Sequence, residues 1–200
     1  MNNRFLFFLI VILFSSCTIA CCFSYPLFSE LASLTSSEQS YINDLHESEN
    51  YNYEKENFSV LVLDWFEVVN DFFPKYTPIK VIDVNTKKSY YVQRGGGYNH
   101  ADVEPINKEN MLIFKSIYSN EWSWVRRPVW VQIGNNYVAA SVNGMPHGFS
   151  LITDNGMDGH TCIHFLNSKT HGTKVVDAAH QNCVQQAKQR ENELKQMLYK

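Results

Sequence analysis

Two runs of β-branched and aromatic residues, Val129-Trp-Val-Gln-Ile133 and Tyr137-Val-Ala-Ala-Ser-Val142, are separated only by Gly134-Asn135-Asn136. Glycine and asparagine tolerate the positive φ of a tight β-turn, so this pattern is a strong hairpin signal. A chain that commits its centre to an antiparallel hairpin needs further strands to cover the apolar face. They are present. Ile79 to Val84 and Ser89 to Gln93 flank the turn Asn85-Thr86-Lys87-Lys88. Phe149 to Ile152 and Thr161 to Leu166 flank Asp154-Asn155-Gly156. Val60 to Val69 is apolar but ambiguous between helix and strand. Gly95-Gly96-Gly97 is expected to break the structure; no Lys-Ser/Thr follows it, so it is not a phosphate loop. Helices are expected over Asn107 to Tyr118, capped by Asn107, and over Ala178 to about Tyr199, capped by Asp177. The second carries mostly Gln, Lys and Glu, which predicts thin packing or a place on the surface. The expected fold is mainly β with peripheral helices (α+β).

The N-terminus reads differently. Arg4 precedes an unbroken apolar run, Phe5 to Phe14, followed by Ser15, Ser16 and Cys17. That is the pattern of an export signal. Cleavage near Ala20, lipid attachment at Cys17, or retention of residues 5–23 as a membrane anchor are all compatible with it. Residues 24–57 hold seven acidic residues against one lysine, the composition of a polar spacer, with a weak helix around Glu30 to Leu45. The expected layout is therefore a signal or anchor over 1–23, a spacer over 24–57, a β-rich catalytic domain over 58–176 and a C-terminal helix over 177–200. This places the folded part outside the cytoplasm, either secreted or associated with the cell envelope, with a membrane contact through the N-terminal segment. A formal net charge of -3 and no basic stripe give no electrostatic case for nucleic acid.

The chemistry concentrates late in the chain. Met145-Pro146-His147-Gly148 is followed by Gly159-His160-Thr161-Cys162-Ile163-His164. A thiol becomes a strong nucleophile as the anion, and a neighbouring imidazole can hold it so at neutral pH. On a strand, residues 160, 162 and 164 share one face. Of five cysteines, only Cys162 and Cys183 fall in the folded part, where they form a disulfide or leave Cys162 free. A competing arrangement is a metal centre. Asn99-His100-Ala101-Asp102-Val103-Glu104 places His100, Asp102 and Glu104 on one strand face. With His160 or His164, His100 and Asp102 complete a two-His, one-Asp zinc set that leaves a position open. Arg126-Arg127 offers a fork for a substrate carboxylate, or a surface ion pair. His171 and His180 are expected on the surface, and Trp122, Trp124 and Trp130 in the core.

The residues His147-Gly148, with fourteen residues between His147 and Cys162, and the stretch Gly159-His160-Thr161-Cys162-Ile163-His164 resemble the L,D-transpeptidase (YkuD-like) catalytic domain. That family carries His-Gly, then Ser/Thr-His-Gly-Cys with a small apolar residue and Arg or Asn. Gly159, Thr161 and His164 stand where it has Ser/Thr, Gly and Arg/Asn. The resemblance covers about residues 79 to 166, and the hairpin over 79–92 looks like the family's opening strands. It implies a β-sandwich or barrel and a transferase acting on peptidoglycan stem peptides of the cell wall, without a cofactor. Cys162 would attack the peptide bond after a meso-diaminopimelate-type residue. His147 would be its base, and His160 an orienting or oxyanion contact. His164, Gly148, His100, Asp102 and Arg127 would contact substrate. An amine acceptor gives a crosslink and water gives carboxypeptidase activity. The alternatives are the zinc-dependent peptidoglycan peptidase and a non-catalytic envelope-binding module in which Cys162 is buried and inert. Thr161 and His164 favour the module.

Overall fold

The computed structural model describes residues 36–200; the segment expected to be an export signal or anchor and the start of the expected spacer lie outside the described residues. The chain divides between Tyr53 and Glu54 into two units. Helix α1, Ser36–Asn57, begins in the first and ends in the second. It runs further than the weak helix expected around Glu30 to Leu45, whose first residues, 30–35, lie outside the described residues. No helix among the described residues is long and apolar enough to cross a membrane.

The second unit is built on six strands: β1 Pro78–Asp83, β2 Ser89–Gly96, β3 Ala101–Pro105, β4 Ser123–Ile133, β5 Asn136–Gly144 and β6 Thr161–His164. They pair antiparallel in the order β1-β2-β3-β6-β5-β4, and β4 returns to β1, so the sheet closes into a barrel. Both expected hairpins form. β1 meets β2 with Val81 opposite Tyr90, and β4 meets β5 with Val131 opposite Val138. The triple glycine ends β2, as expected, at Gly96. The strand carries a bulge between Arg94 and Gly96, and the chain turns at Gly97, whose φ is +94°. A Cβ at Gly97 would lie 1.9 Å from the His100 carbonyl oxygen, so this turn admits only glycine. Phe149 to Ile152 is irregular, with a bend at Leu151, and not a strand.

The ambiguous segment over 60–69 is both things in succession. Leu61 bridges to Val138 and Asp64 to Leu166 as extended chain. Trp65–Val69 then forms a π-helical turn, capped by the Asp64 carboxylate, and leads into the short helix α2, Asn70–Phe72. Helix α3, Lys108–Ser116, is capped by Asn107 as its sequence predicts.

Strand alternation divides the side chains into two cores. Ile79, Val81, Val92, Val103, Val129, Val131, Val138, Ala140, Val142 and Ile163 fill the barrel, with Trp65, Phe114 and Phe165 closing it. Ile82, Val84, Trp130, Tyr137 and Ala139 point outward. They are covered by helices α4, Ala178–Gln189, and α5, Glu191–Leu198, through Val184, Ala187 and Leu194. The C-terminal helix therefore does not pack thinly. It breaks at Arg190, and Trp130 Nε1 donates to the Ala187 carbonyl at 2.7 Å. Each fully buried aliphatic side chain contributes about 1.5–3 kcal/mol, which fastens α4 against β4 and β5 with its N-terminus beside β6.

Candidate active site

The outward face of β3, β6 and β5 carries the site. Ile163 points into the barrel, so alternation turns Cys162 and His164 outward. Asp102 stands opposite Cys162 in the β3–β6 register, and Ser141 opposite His164 in β5–β6. Directly opposed residues on a sheet bring their side chains together. His147 and His160 extend this surface as an isolated antiparallel bridge, with backbone N–H to O distances of 2.9 Å both ways. Glycine is needed on each flank. At Gly148, φ +68°, a Cβ would lie 2.5 Å from His160 Cε1; at Gly159, φ +102°, it would lie 2.7 Å from the His147 carbonyl oxygen. Gly148 thus leaves room for the His160 ring. Glu104, the last member of the His-x-Asp-x-Glu string, points to the intervening loop and accepts the Leu151 and Ile152 N–H groups.

Six of the seven histidines lie in one string of ring contacts. His147 is 4.8 Å from His160 and 5.6 Å from His171 between ring centroids. His171 touches His100 at 4.2 Å, His100 stacks on His164 at 4.4 Å, and His164 stacks on His180 at 3.7 Å. With Cys162, Asn143, Trp124, Arg126, Thr170 and Gly172, all of these rings except His160 line a cavity of about 230 Å³.

Cys162 and Cys183 are both free thiols. Cys162 Sγ is 3.2 Å from His147 Nε2 and 3.9 Å from His171 Nδ1. His147 Nδ1 lies 2.9 Å from the Met145 carbonyl oxygen. A carbonyl only accepts, so Nδ1 carries the proton and Nε2 presents its lone pair to the thiol. The same device recurs twice. His100 Nδ1 donates to the Lys169 carbonyl at 2.5 Å and His160 Nδ1 to that of Phe149 at 3.0 Å. Their Nε2 atoms, with that of His171, converge on Asp102 Oδ1 at 3.3, 3.7 and 3.3 Å. Among the described residues, His100 Nε2, Asp102 Oδ1, His160 Nε2 and His164 Nδ1 are buried polar atoms with no aligned hydrogen-bond partner.

Electrostatics revise one expectation. Burial pushes the Cys162 thiol up, and the charge of Asp102 adds to the rise. Burial also holds His147 below the ordinary imidazole value, against the bond to Met145. The pair therefore rests as thiol and neutral imidazole, not as a standing thiolate. Asp102 itself sits below the usual carboxylate range: burial raises it, and His100, His160 and His171 outweigh that. Burial, then His180 and His100, drive His164 far down. His180 falls to about 3, through burial first and the Arg126 charge second.

The sequence-based site set is thus partly assembled. Cys162, His147, His160, His100 and Asp102 come together. His164 lines the inner wall of the cavity, stacked between two rings beneath α4. Arg127 is elsewhere. It points to the barrel-interior face of β4 and makes a bidentate pair with buried Asp83 at 2.9 and 2.8 Å, so it is not a substrate contact. Its neighbour Arg126 reaches the cavity, paired with Asp177 at 3.1 Å. Thr161 takes an ordinary extended conformation and donates its hydroxyl to the Asn143 carbonyl, so no glycine is required before Cys162. His171 and His180 belong to the cluster and not to the open surface, although His171 keeps one side in solvent. Trp130 is core, but Trp124 is 51% exposed at the cavity mouth, 5.1 Å from the His147 ring. Thr170-His171-Gly172 was the discoverable signal: a second histidine–glycine pair near the cysteine. No known protein family, curated protein or solved structure matches this chain.

Proposed function

We propose that this chain is an exported cysteine acyl-transfer enzyme acting on peptidoglycan stem peptides, of the L,D-transpeptidase or L,D-carboxypeptidase type. The observation that carries the reading is the Cys162–His147 pair, with sulfur and Nε2 3.2 Å apart and Nδ1 tied to the Met145 carbonyl. Nucleophile, base and a third group orienting the base are the parts such chemistry needs. As Cys162 sulfur bonds to the scissile carbonyl carbon, its proton passes to His147 Nε2. His147 then returns a proton to the leaving amine, and a thioester remains on Cys162. A second stem's amine, or water, attacks that thioester and frees the thiol. The resting neutral pair suits this order, because the proton moves during attack.

The cavity mouth supports a zwitterionic peptide as substrate. Arg126, and not Arg127, is the candidate partner for a substrate carboxylate. Exposed Trp124 offers an apolar wall beside His147. Export and envelope localisation rest on the N-terminal signal pattern.

The test is product analysis by mass spectrometry after incubation with stem tetrapeptides ending in a D-amino acid. Loss of the terminal residue, with or without a crosslinked dimer, is the expected result, and Cys162→Ser abolishes it. Intact tetrapeptide after prolonged incubation with reduced protein would remove the enzymatic reading and leave the envelope-binding module.

A further inference from the structure

We infer that His100, Asp102, Cys162 and His171 form a site for a thiophilic divalent cation of the zinc class, and that this cation competes with acyl transfer for Cys162. One ligand atom from each residue lies within 4.8 Å of the others. Tetrahedral coordination at bond lengths of about 2.0–2.3 Å sets neighbouring ligand atoms about 3.3–3.8 Å apart. His100 Nε2 and His171 Nε2 each stand 3.3 Å from Asp102 Oδ1.

The partnerless atoms are a separate observation. His100 is 1% exposed, and its Nε2 and Asp102 Oδ1 are both buried without an aligned partner. The Lys169 carbonyl takes the Nδ1 proton, so the Nε2 of a neutral His100 presents a lone pair beside the Asp102 carboxylate oxygen. A cation between the two atoms satisfies both; a second proton on Nε2 does the same, and metal binding displaces it. A histidine whose second nitrogen is tied to a backbone carbonyl is also the usual support behind a metal ligand. Imidazole and thiolate donors select zinc-like ions over magnesium or calcium.

A second grouping, His147, His160, Cys162 and His171, shares two of these ligands. It lacks a carboxylate. The first set supplies two negative charges, from Asp102 and the Cys162 thiolate, and so neutralises a dication; it also leaves His147 outside the ligand shell. On binding, a metal–sulfur bond forms and the Cys162 proton leaves to solvent. A sulfur held by the metal no longer attacks a carbonyl. That consequence rests on the proposed role of Cys162 as nucleophile; the binding site does not.

The test uses the full chain, reduced and stripped with a chelator, titrated with Co²⁺ alone. The expected result is a thiolate-to-cobalt charge-transfer band that saturates near one equivalent. Cys162→Ser removes the band. His100→Ala and His171→Ala each weaken binding at least tenfold, and His147→Ala leaves it in place. His171 is half-exposed, so its variant keeps the fold, which an unchanged thermal midpoint verifies. No band, a band that survives Cys162→Ser, or one lost with His147 but kept without His100 would overturn the assignment. One equivalent of Zn²⁺ should then stop product formation from stem peptides, with recovery on chelation. Transfer that continues with zinc bound overturns the competition and keeps the catalytic reading. Metal bound with no transfer in either state upholds the site and removes the catalytic reading.

Discussion

The inner and outer faces of the same strands obey opposite rules. Inside the barrel, Ala101, Val103, Val142 and Ile163 make an apolar core. One residue away on each strand, facing out, stand Asp102, Asn143, Cys162 and His164. The inner face is packed for stability. The outer face holds four buried polar atoms without aligned partners, each worth about 1–3 kcal/mol of penalty if left so. A fold does not gain stability by gathering six imidazoles, a carboxylate and a thiol. The closed barrel supplies the rigidity that holds His147 and His171 at 3.2 and 3.9 Å from the Cys162 sulfur and three imidazoles at 3.3–3.7 Å from Asp102. Alternation lets one short strand, β6, serve both purposes.

That contrast can be broken most sharply at adjacent residues. Cys162→Ser should abolish transfer on stem peptides and leave the thermal midpoint within a degree or two. Ile163→Ala, one residue on, should cost about 2–5 kcal/mol in denaturant unfolding and leave activity per folded molecule intact. Loss of stability in the first variant, or of chemistry in the second, would erase the division of faces. His147→Ala should lower the rate of transfer about 10²–10⁴-fold, the usual contribution of a positioned base.

Arg127→Met probes an interior polar pair. It strands the buried Asp83 carboxylate and should cost about 3–5 kcal/mol, measured by urea titration, without changing KM for stem peptides. A rise in KM with unchanged stability would return Arg127 to the substrate site.

Acid sharpens the comparison further. His180, in the first turn of α4, has its protonation pushed down to about 3, whereas an unfolded histidine titrates at about 6.5. The unfolded chain therefore binds the extra proton first. His180 costs nothing above about 6.5, and stability falls as pH drops from there toward about 3. His180→Gln should flatten that part of the pH–stability curve; an unaltered slope would show that the acid response lies elsewhere. The smallest effect is expected at the α4 cap. Asp177 accepts the His180 N–H at 2.9 Å, and Asp177→Ala should lose about 1 kcal/mol of stability.

Much of the scaffold was legible because short-range rules govern it. The Gly134-Asn135-Asn136 hairpin, the caps at Asn107 and Asp177, and the alternation across Thr161 to His164 depend on residues a few positions apart. The approach of Cys162 and His147 was readable from spacing. The rest depends on barrel closure. His171 and His180 look like polar surface residues in a helix and loop, and only the β3–β6 pairing and the docking of α4 bring them to His100 and His164. Arg126 and Arg127 differ only in strand phase, which a bulge between Ser123 and Arg126 sets. The thiol's surroundings were hidden for a similar reason: its pairing with His147 follows from spacing, but the burial and the Asp102 charge that push it up come from other strands.

The most direct test is intact-mass measurement of the protein quenched in acid during reaction with a stem tetrapeptide. The account predicts an added mass equal to the stem tripeptide acyl group, located on the Cys162 peptide, removed by hydroxylamine and absent from His147→Ala at the same time point. Product without any adduct on Cys162, or an adduct that forms equally fast without His147, would contradict it.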